Sequence, residues 1–178
     1  MSTEVKRYHP VLISLHWLLA AAILGMYVFG SFVLDGMENS APGKAGLLSL
    51  HLIVGVAILA LTVVRLIVRV RAPRPAPMPG SRGAQKVATG LQHLMYMLTV
   101  LIVLSGLALA YSAHLFSILY GHTGTLPKDF EDFTAHDVHG WLVDGLLVVV
   151  ALHVAAALQH QFILKDNIMS RISLLAKD

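Results

Sequence analysis

The chain has 178 residues, of which 56% are hydrophobic and only 13% are charged, and its formal net charge at pH 7 is +3. The mean hydropathy of +0.71 is far above that of ordinary soluble domains and indicates an integral membrane protein. Cysteine is absent, which excludes disulfides, iron–sulfur clusters, thiolate metal sites and the attachment motif of covalent haem.

Four stretches are long and apolar enough to cross a membrane as helices, which takes roughly 20 residues each. They are predicted at residues 11–34, 47–70, 91–113 and 139–163. The sequence therefore predicts an all-α fold, a transmembrane four-helix bundle, in a single domain that covers residues 1–178. The first stretch follows Lys6 and Arg7 but is too long for the apolar region of a signal peptide.

The basic residues are distributed unevenly along the chain. Eleven of the 13 lie in the two termini or around the second loop, and the other two loops hold only Lys44 and Lys128 beside several carboxylates. By the positive-inside rule, both termini are predicted to be cytoplasmic. The second loop, rich in proline and glycine over residues 72–83, is predicted to be an extended connector. Residues 127–133 of the third loop are predicted to form a short interfacial helix.

Four histidines lie at two depths in the predicted spans. His139 and His153 are fourteen residues apart in the fourth span, which is roughly 21 Å along a helix, and both project from nearly the same face. His51 lies about one turn into the second span, level with His139 near the outer surface. His16 lies just over one turn into the first span, in the half of the bilayer that contains His153.

This arrangement predicts two haem sites, because two neutral imidazoles opposed across a helix bundle can ligate one haem iron from both faces. The outer pair is His51 with His139, and the inner pair is His16 with His153. Without cysteine, any haem is held non-covalently.

Other histidines leave alternatives open. His93, near the start of the third span, and His160, seven residues after His153, can each replace a member of the inner pair. His136 is a rival ligand for the outer pair. If His93 and His160 are not ligands, they are candidates for hydrogen bonding and proton exchange with a quinone head group, or for a structural role.

Two arginines and three glycines accompany these positions. Arg65 and Arg69 end the second span, where they either reach to lipid phosphates or pair with haem propionates. Gly55, Gly140 and Gly145 flank the predicted ligands and would let a flat macrocycle approach the helix backbones.

The ordered combination of these motifs resembles the bacterial cytochrome b561 family over nearly the whole chain. The matching segments are Ile13–Trp17, His51–Gly55, Arg65–Arg69, Gly90–His93, Trp141, His153–His160 and Leu164–Asn167. The resemblance implies a four-helix membrane cytochrome with two haem b groups, whose irons are ligated by His16, His51, His139 and His153. It also implies electron exchange with ubiquinone and a location in the bacterial inner membrane.

The predicted function is that of an oxidoreductase that carries electrons between an outer, periplasmic donor and ubiquinone. Members of the family are described as superoxide oxidases, which makes superoxide the candidate donor, although the acid-rich outer loops do not predict a basic entrance. The alternative is a haem b membrane anchor that links a dehydrogenase or hydrogenase to the quinone pool, and a remote alternative is a histidine-lined metal transporter. The predicted partners are membrane lipid, quinone, superoxide and a redox protein, without nucleic acid.

Overall fold

The computed structural model describes residues 7–76 and 81–175. Within these ranges all regular secondary structure is helical. The α-helices are α1 (Pro10–Val28), α2 (Lys44–Arg71), α3 (Arg82–Ser112), α4 (Leu115–Leu119) and α5 (Thr134–Leu158). Helix α1 continues as a π-helical segment (Phe29–Leu34), α5 continues as another (Gln159–Ile163), and a 3-10 turn follows (Ile168–Ile172).

Four helices in the described part of the chain are long and apolar enough to cross a membrane. They are Pro10–Leu34, Lys44–Arg71, Arg82–Ser112 and Thr134–Ile163. Large apolar side chains stay exposed along them, as with Phe32 (70% exposed) and Val148 (60%), and such a surface is suited to lipid rather than to water. The predicted all-α, four-helix transmembrane fold is confirmed. Residues 1–6, 77–80 and 176–178, which belong to the predicted termini and second loop, lie outside the described residues.

Two of the predicted spans begin at a later residue than the corresponding helices of the structure. Helix α3 begins at Arg82 rather than at residue 91, because the Ser81 side chain caps it and accepts a hydrogen bond from the Ala84 N–H at 3.2 Å. Residues 82–90, which precede the predicted third span, are therefore helical. Helix α5 likewise begins at Thr134, before the predicted start at residue 139. Counting apolar residues misses helical turns that extend into the polar interface.

The predicted interfacial helix at residues 127–133 is wrong, since this segment contains no helix, and the short helix of this loop is α4. Leu115 of α4 is 3% exposed and packs in a small core with Ala110. Phe130 and Phe133 pack against the same core. These aromatic side chains therefore hold the loop onto the bundle as irregular structure.

The helices pack as two main pairs, α1 with α2 and α3 with α5, joined by contacts between α2 and α3. Both described chain ends meet at one end of the bundle, which we call the terminal end. There the Tyr8 N–H donates to the Arg171 carbonyl at 3.2 Å, and the Arg171 guanidinium donates to the Ala76 carbonyl at 2.6 Å. The opposite end, which we call the loop end, is formed by residues 35–43 and 113–133.

Candidate functional site

Two pairs of histidine rings face each other inside the bundle. The ring centroids of His51 and His139 lie 6.2 Å apart with an interplanar angle of 67°. Those of His16 and His153 lie 6.3 Å apart with an angle of 70°. All four side chains are half-buried. The structure thus brings together the same histidines that were paired by their predicted depth in the membrane. The His51–His139 pair lies toward the loop end, and the His16–His153 pair lies toward the terminal end.

The spacing of both pairs fits a metal ion held between the rings. Metal–imidazole bonds are about 2.0–2.1 Å long, so two imidazoles that bind one ion from opposite sides have ring centroids roughly 6 Å apart. The residues present therefore fit a bis-histidine haem.

Helix α3 holds the His139 ring in place. The Nδ1 atom of His139 lies 3.0 Å from the Ile102 carbonyl oxygen and 3.0 Å from the Ser105 hydroxyl oxygen. The ring also lies directly over Gly106, where an added Cβ would be 3.1 Å from His139 Cε1. None of these three α3 residues was singled out from the sequence.

The His51 ring is seated against the π-helical segment that continues α1. An added Cβ on Gly30 would lie 3.5 Å from His51 Cε1, and the Phe29 ring stacks on His51 with centroids 6.3 Å apart and an angle of 21°. π-Helical turns are frequent at functional sites, because they redirect side chains within a helix. Here the turn places Gly30 beside the histidine ring.

A cavity of about 550 Å³ opens beside the first pair, and its walls include His51 and His139. Its volume is within the usual range for ligand pockets. The glycines predicted to leave room for a macrocycle, Gly55, Gly140 and Gly145, meet no atom within 4 Å when a Cβ is added. The first two of them line the cavity. The walls therefore leave space next to the paired rings.

Arginine and tyrosine side chains surround the second pair. The Arg65 guanidinium Nη1 lies 3.2 Å from His16 Nδ1. The guanidinium carbons of Arg65 and Arg69 lie 5.8 and 5.7 Å from the centroid of the Tyr96 ring. Arg69 Nη2 also donates to Gln92 Oε1 at 2.7 Å. Both arginines are half-buried and contact α3.

The same region contains unpartnered polar groups. Arg65 Nε and the Tyr96 hydroxyl are buried and have no hydrogen-bond partner among the described residues. A donor on each side chain is thus free for an acidic group that enters the bundle near His16. The carboxylates of a haem fit this donor set. Tyr96, like Gln92, was not predicted as a site residue.

The remaining predicted histidines are not members of the two facing pairs. His93 is exposed on α3. His160 is half-buried in the π-helical segment after α5, and its Nδ1 is hydrogen-bonded to the carboxylate of Asp166. His136, the rival ligand, is half-buried and lines the cavity, with its Nδ1 3.7 Å from an Asp137 carboxylate oxygen.

The metal-transporter alternative requires ligands of one ion to be clustered. Over residues 7–76 and 81–175, no group of three or more histidine, aspartate and glutamate side chains is arranged to hold a metal ion. Four of the ten histidines, all of which lie in this part of the chain, instead form the two facing pairs.

Comparison with known proteins identifies similar chains. A family model described as prokaryotic cytochrome b561 matches residues 7–173. Cytochrome b562 of Cereibacter sphaeroides is 29% identical over 96% of this chain and 97% of its own length. Cytochrome b561 homolog 2 of Escherichia coli is 28% identical over 94% and 91%. The probable superoxide oxidase CybB of Yersinia pestis is 28% identical over 94% and 97%.

Proposed function

Because the chain belongs to the prokaryotic cytochrome b561 family, we propose that this membrane haem protein binds two haem b groups and transfers electrons between a donor at the outer face and ubiquinone. We propose that the chain serves this function as a single domain. The observation that carries the proposal is the presence of two facing histidine pairs, whose ring centroids are 6.2 and 6.3 Å apart. Haem iron held by two imidazoles exchanges single electrons.

The axial ligands of the outer haem are His51 and His139, and those of the inner haem are His16 and His153. The centroid separations support this assignment. The cavity beside the outer pair provides room for a large planar ligand. His136, which lines the same cavity, is half-buried near Asp137 and is not assigned as a ligand.

Arg65 and Arg69 bind the propionates of the inner haem. Their guanidinium groups contact Tyr96 on α3, inside the bundle, which favours this role over binding lipid phosphates. The free Nε of Arg65 and the free hydroxyl of Tyr96 are the donors available for it. Arginine is well suited to carboxylates because its planar guanidinium can form two parallel hydrogen bonds.

The quinone head group binds near His93 and His160, toward the terminal end. The hydrogen bond between His160 Nδ1 and Asp166 supports this role, because it orients the imidazole and ties it to a carboxylate that can exchange protons. His93 is exposed on α3 and is accessible to a head group entering from the lipid.

Both termini are cytoplasmic, and the loop end faces the periplasm across the bacterial inner membrane. The uneven distribution of basic residues supports this orientation. Superoxide is the proposed donor, supported by the name of the Yersinia pestis relative. Lys128, which lines the cavity and is exposed, is the cation available to an incoming anion. Lys44 is buried and donates to the Leu34 and Met37 carbonyls.

In the proposed reaction, two superoxide anions each lose one electron and become dioxygen. The two electrons and two protons then reduce one ubiquinone to ubiquinol. To test this reaction, the purified protein is placed in vesicles that contain ubiquinone, and superoxide is generated outside. We expect ubiquinol to accumulate, and more slowly in the Lys128→Met variant, because local positive charge steers anions.

Failure of superoxide to reduce the haems would contradict the choice of donor. Reduction by a co-purifying dehydrogenase or hydrogenase would instead identify the chain as a haem b membrane anchor. The two outcomes are distinguished by adding each donor separately and recording the reduced haem spectrum.

A further inference from the structure

Three neighbouring groups of α3 converge on the His139 ring. The Ile102 carbonyl oxygen and the Ser105 hydroxyl oxygen each lie 3.0 Å from Nδ1, and the Ser105 hydroxyl donates to the same carbonyl at 2.9 Å. The third group is the backbone of Gly106, over which the ring packs. His139 is thus contacted at Nδ1 by two oxygens, and its Cε1 and Nδ1 atoms lie against the Gly106 backbone.

The hydrogen-bonding roles of these groups fix the position of the imidazole proton. A carbonyl oxygen only accepts hydrogen bonds, so Nδ1 must donate to Ile102. The Ser105 hydroxyl uses its hydrogen on that carbonyl, so its oxygen faces Nδ1 as a second acceptor. Both contacts therefore select the tautomer with hydrogen on Nδ1. In that tautomer the lone pair is on Nε2, where a metal can bind.

Gly106 fixes the orientation of the same ring. A Cβ at this position would lie 3.1 Å from His139 Cε1 and 3.4 Å from Nδ1, so a larger residue would displace the imidazole. The opposite ring is held differently, since His51 Nδ1 is buried without a hydrogen-bond partner among the described residues. The pair is therefore asymmetric: His139 is hydrogen-bonded to α3, whereas His51 is in contact with Gly30 and the Phe29 ring.

We propose that Ser105 is a positioning residue for the His51–His139 site: with the Ile102 carbonyl it holds His139 as the Nδ1–H tautomer and leaves Nε2 for the iron. This inference rests on the proposed function, in which His139 is an axial ligand. Acceptors at the far nitrogen of a metal-bound imidazole raise its basicity as a ligand. A more basic ligand favours oxidised iron, so Ser105 lowers the midpoint potential of the outer haem.

The test is a redox titration, monitored by visible spectra, of the purified haem-loaded protein and its Ser105→Ala and Ser105→Thr variants. Ser112→Ala is the matched control, because the exposed Ser112 hydroxyl makes the same type of bond to the Leu109 carbonyl, at 3.1 Å. We expect Ser105→Ala to raise the outer midpoint potential and to leave the inner one unchanged. Ser105→Thr keeps the hydroxyl and should have the same outer midpoint potential as the wild-type protein.

A second pair of variants tests whether Gly106 fixes the orientation of the His139 ring. Gly106→Ala should shift the low-spin electron paramagnetic resonance signal of the outer haem or reduce its occupancy. Gly90→Ala, on the same helix with no atom within 4 Å of the added Cβ, should do neither. If both haems are present and Ser105→Ala and Gly106→Ala behave like their controls, the inference is overturned and the proposed function stands. If wild-type protein binds no haem at His51 and His139, the proposed function itself fails.

Discussion

Arg65 and His16 are in direct contact: the guanidinium Nη1 of Arg65 lies 3.2 Å from Nδ1 of His16. A guanidinium can only donate hydrogen bonds, so Nδ1 accepts and a neutral His16 carries its hydrogen on Nε2. If His16 holds iron through Nε2, as proposed, its hydrogen would lie on Nδ1 instead. The Arg65 guanidinium would then be available to a propionate rather than to His16.

Replacing Arg65 should therefore affect the inner haem alone. In Arg65→Gln we expect a lower midpoint potential for the inner haem, because a nearby positive charge favours the reduced iron. The effect of one charge is roughly 1–2 kcal/mol at the effective dielectric of a protein, or on the order of 50–100 mV for one electron. Arg71→Gln, an exposed arginine near the end of α2, is the control for the redox titration. Equal shifts in both variants would contradict a specific role of Arg65.

His136 lies one turn from His139 and lines the same cavity, which makes it the strongest rival ligand. The His136→Ala variant should retain both haems, because the assigned outer pair does not include it. Haem content per chain, measured by pyridine haemochrome absorbance, checks this expectation. Loss of one haem would instead identify His136 as a haem ligand, in place of His139 or His51.

The ring of Tyr96, on α3, contacts two arginines of α2. The guanidinium carbons of Arg65 and Arg69 lie within 5.8 Å of its centroid. Each cation–π contact is worth about 0.5–2 kcal/mol. Tyr96→Leu should therefore lower the thermal stability of the detergent-solubilised protein, whereas Tyr96→Phe keeps the ring and should lower it much less. The midpoint of thermal unfolding, measured by circular dichroism, compares the two. Equal losses would assign the effect to the hydroxyl instead.

Lys44 ties the start of α2 to the π-helical end of α1. Its ammonium group donates to the Leu34 carbonyl at 2.6 Å and to the Met37 carbonyl, and the residue is buried. Hydrogen bonds to charged groups contribute about 1.5–3 kcal/mol each. Lys44→Met should therefore unfold at clearly lower temperature in the same thermal assay. The control is Lys128→Met at an exposed position, and a similar loss there would contradict a structural role specific to Lys44.

Helical periodicity and depth were sufficient to pair the histidines. Since each transmembrane helix rises by a fixed distance per residue, the position of His51 along α2 and of His139 along α5 predicts that they lie level. The structure places their ring centroids 6.2 Å apart. Whether these rings ligate iron stays a prediction.

The contacts of α3 could not be derived in the same way. Ser105, Gly106 and Tyr96 are common residue types in membrane helices, and depth alone does not give the rotation of a helix about its axis. A signal was present nevertheless: Gln92, Tyr96, Thr99 and Gly106 recur at helical spacing and share one face. The helix starts were missed for a different reason, since Ser81 and Thr134 begin turns that are polar and do not count as apolar span.

The central claim is that each histidine pair holds its own haem. The most direct test is the number of haem b groups per chain, with reduced-minus-oxidised spectra, in wild-type protein and in His139→Ala and His153→Ala variants. We expect two low-spin haems in wild type and one in each variant, with the spectra of the two variants differing because they retain different haems. A wild-type chain with a single haem, or identical loss from both variants, would contradict the claim.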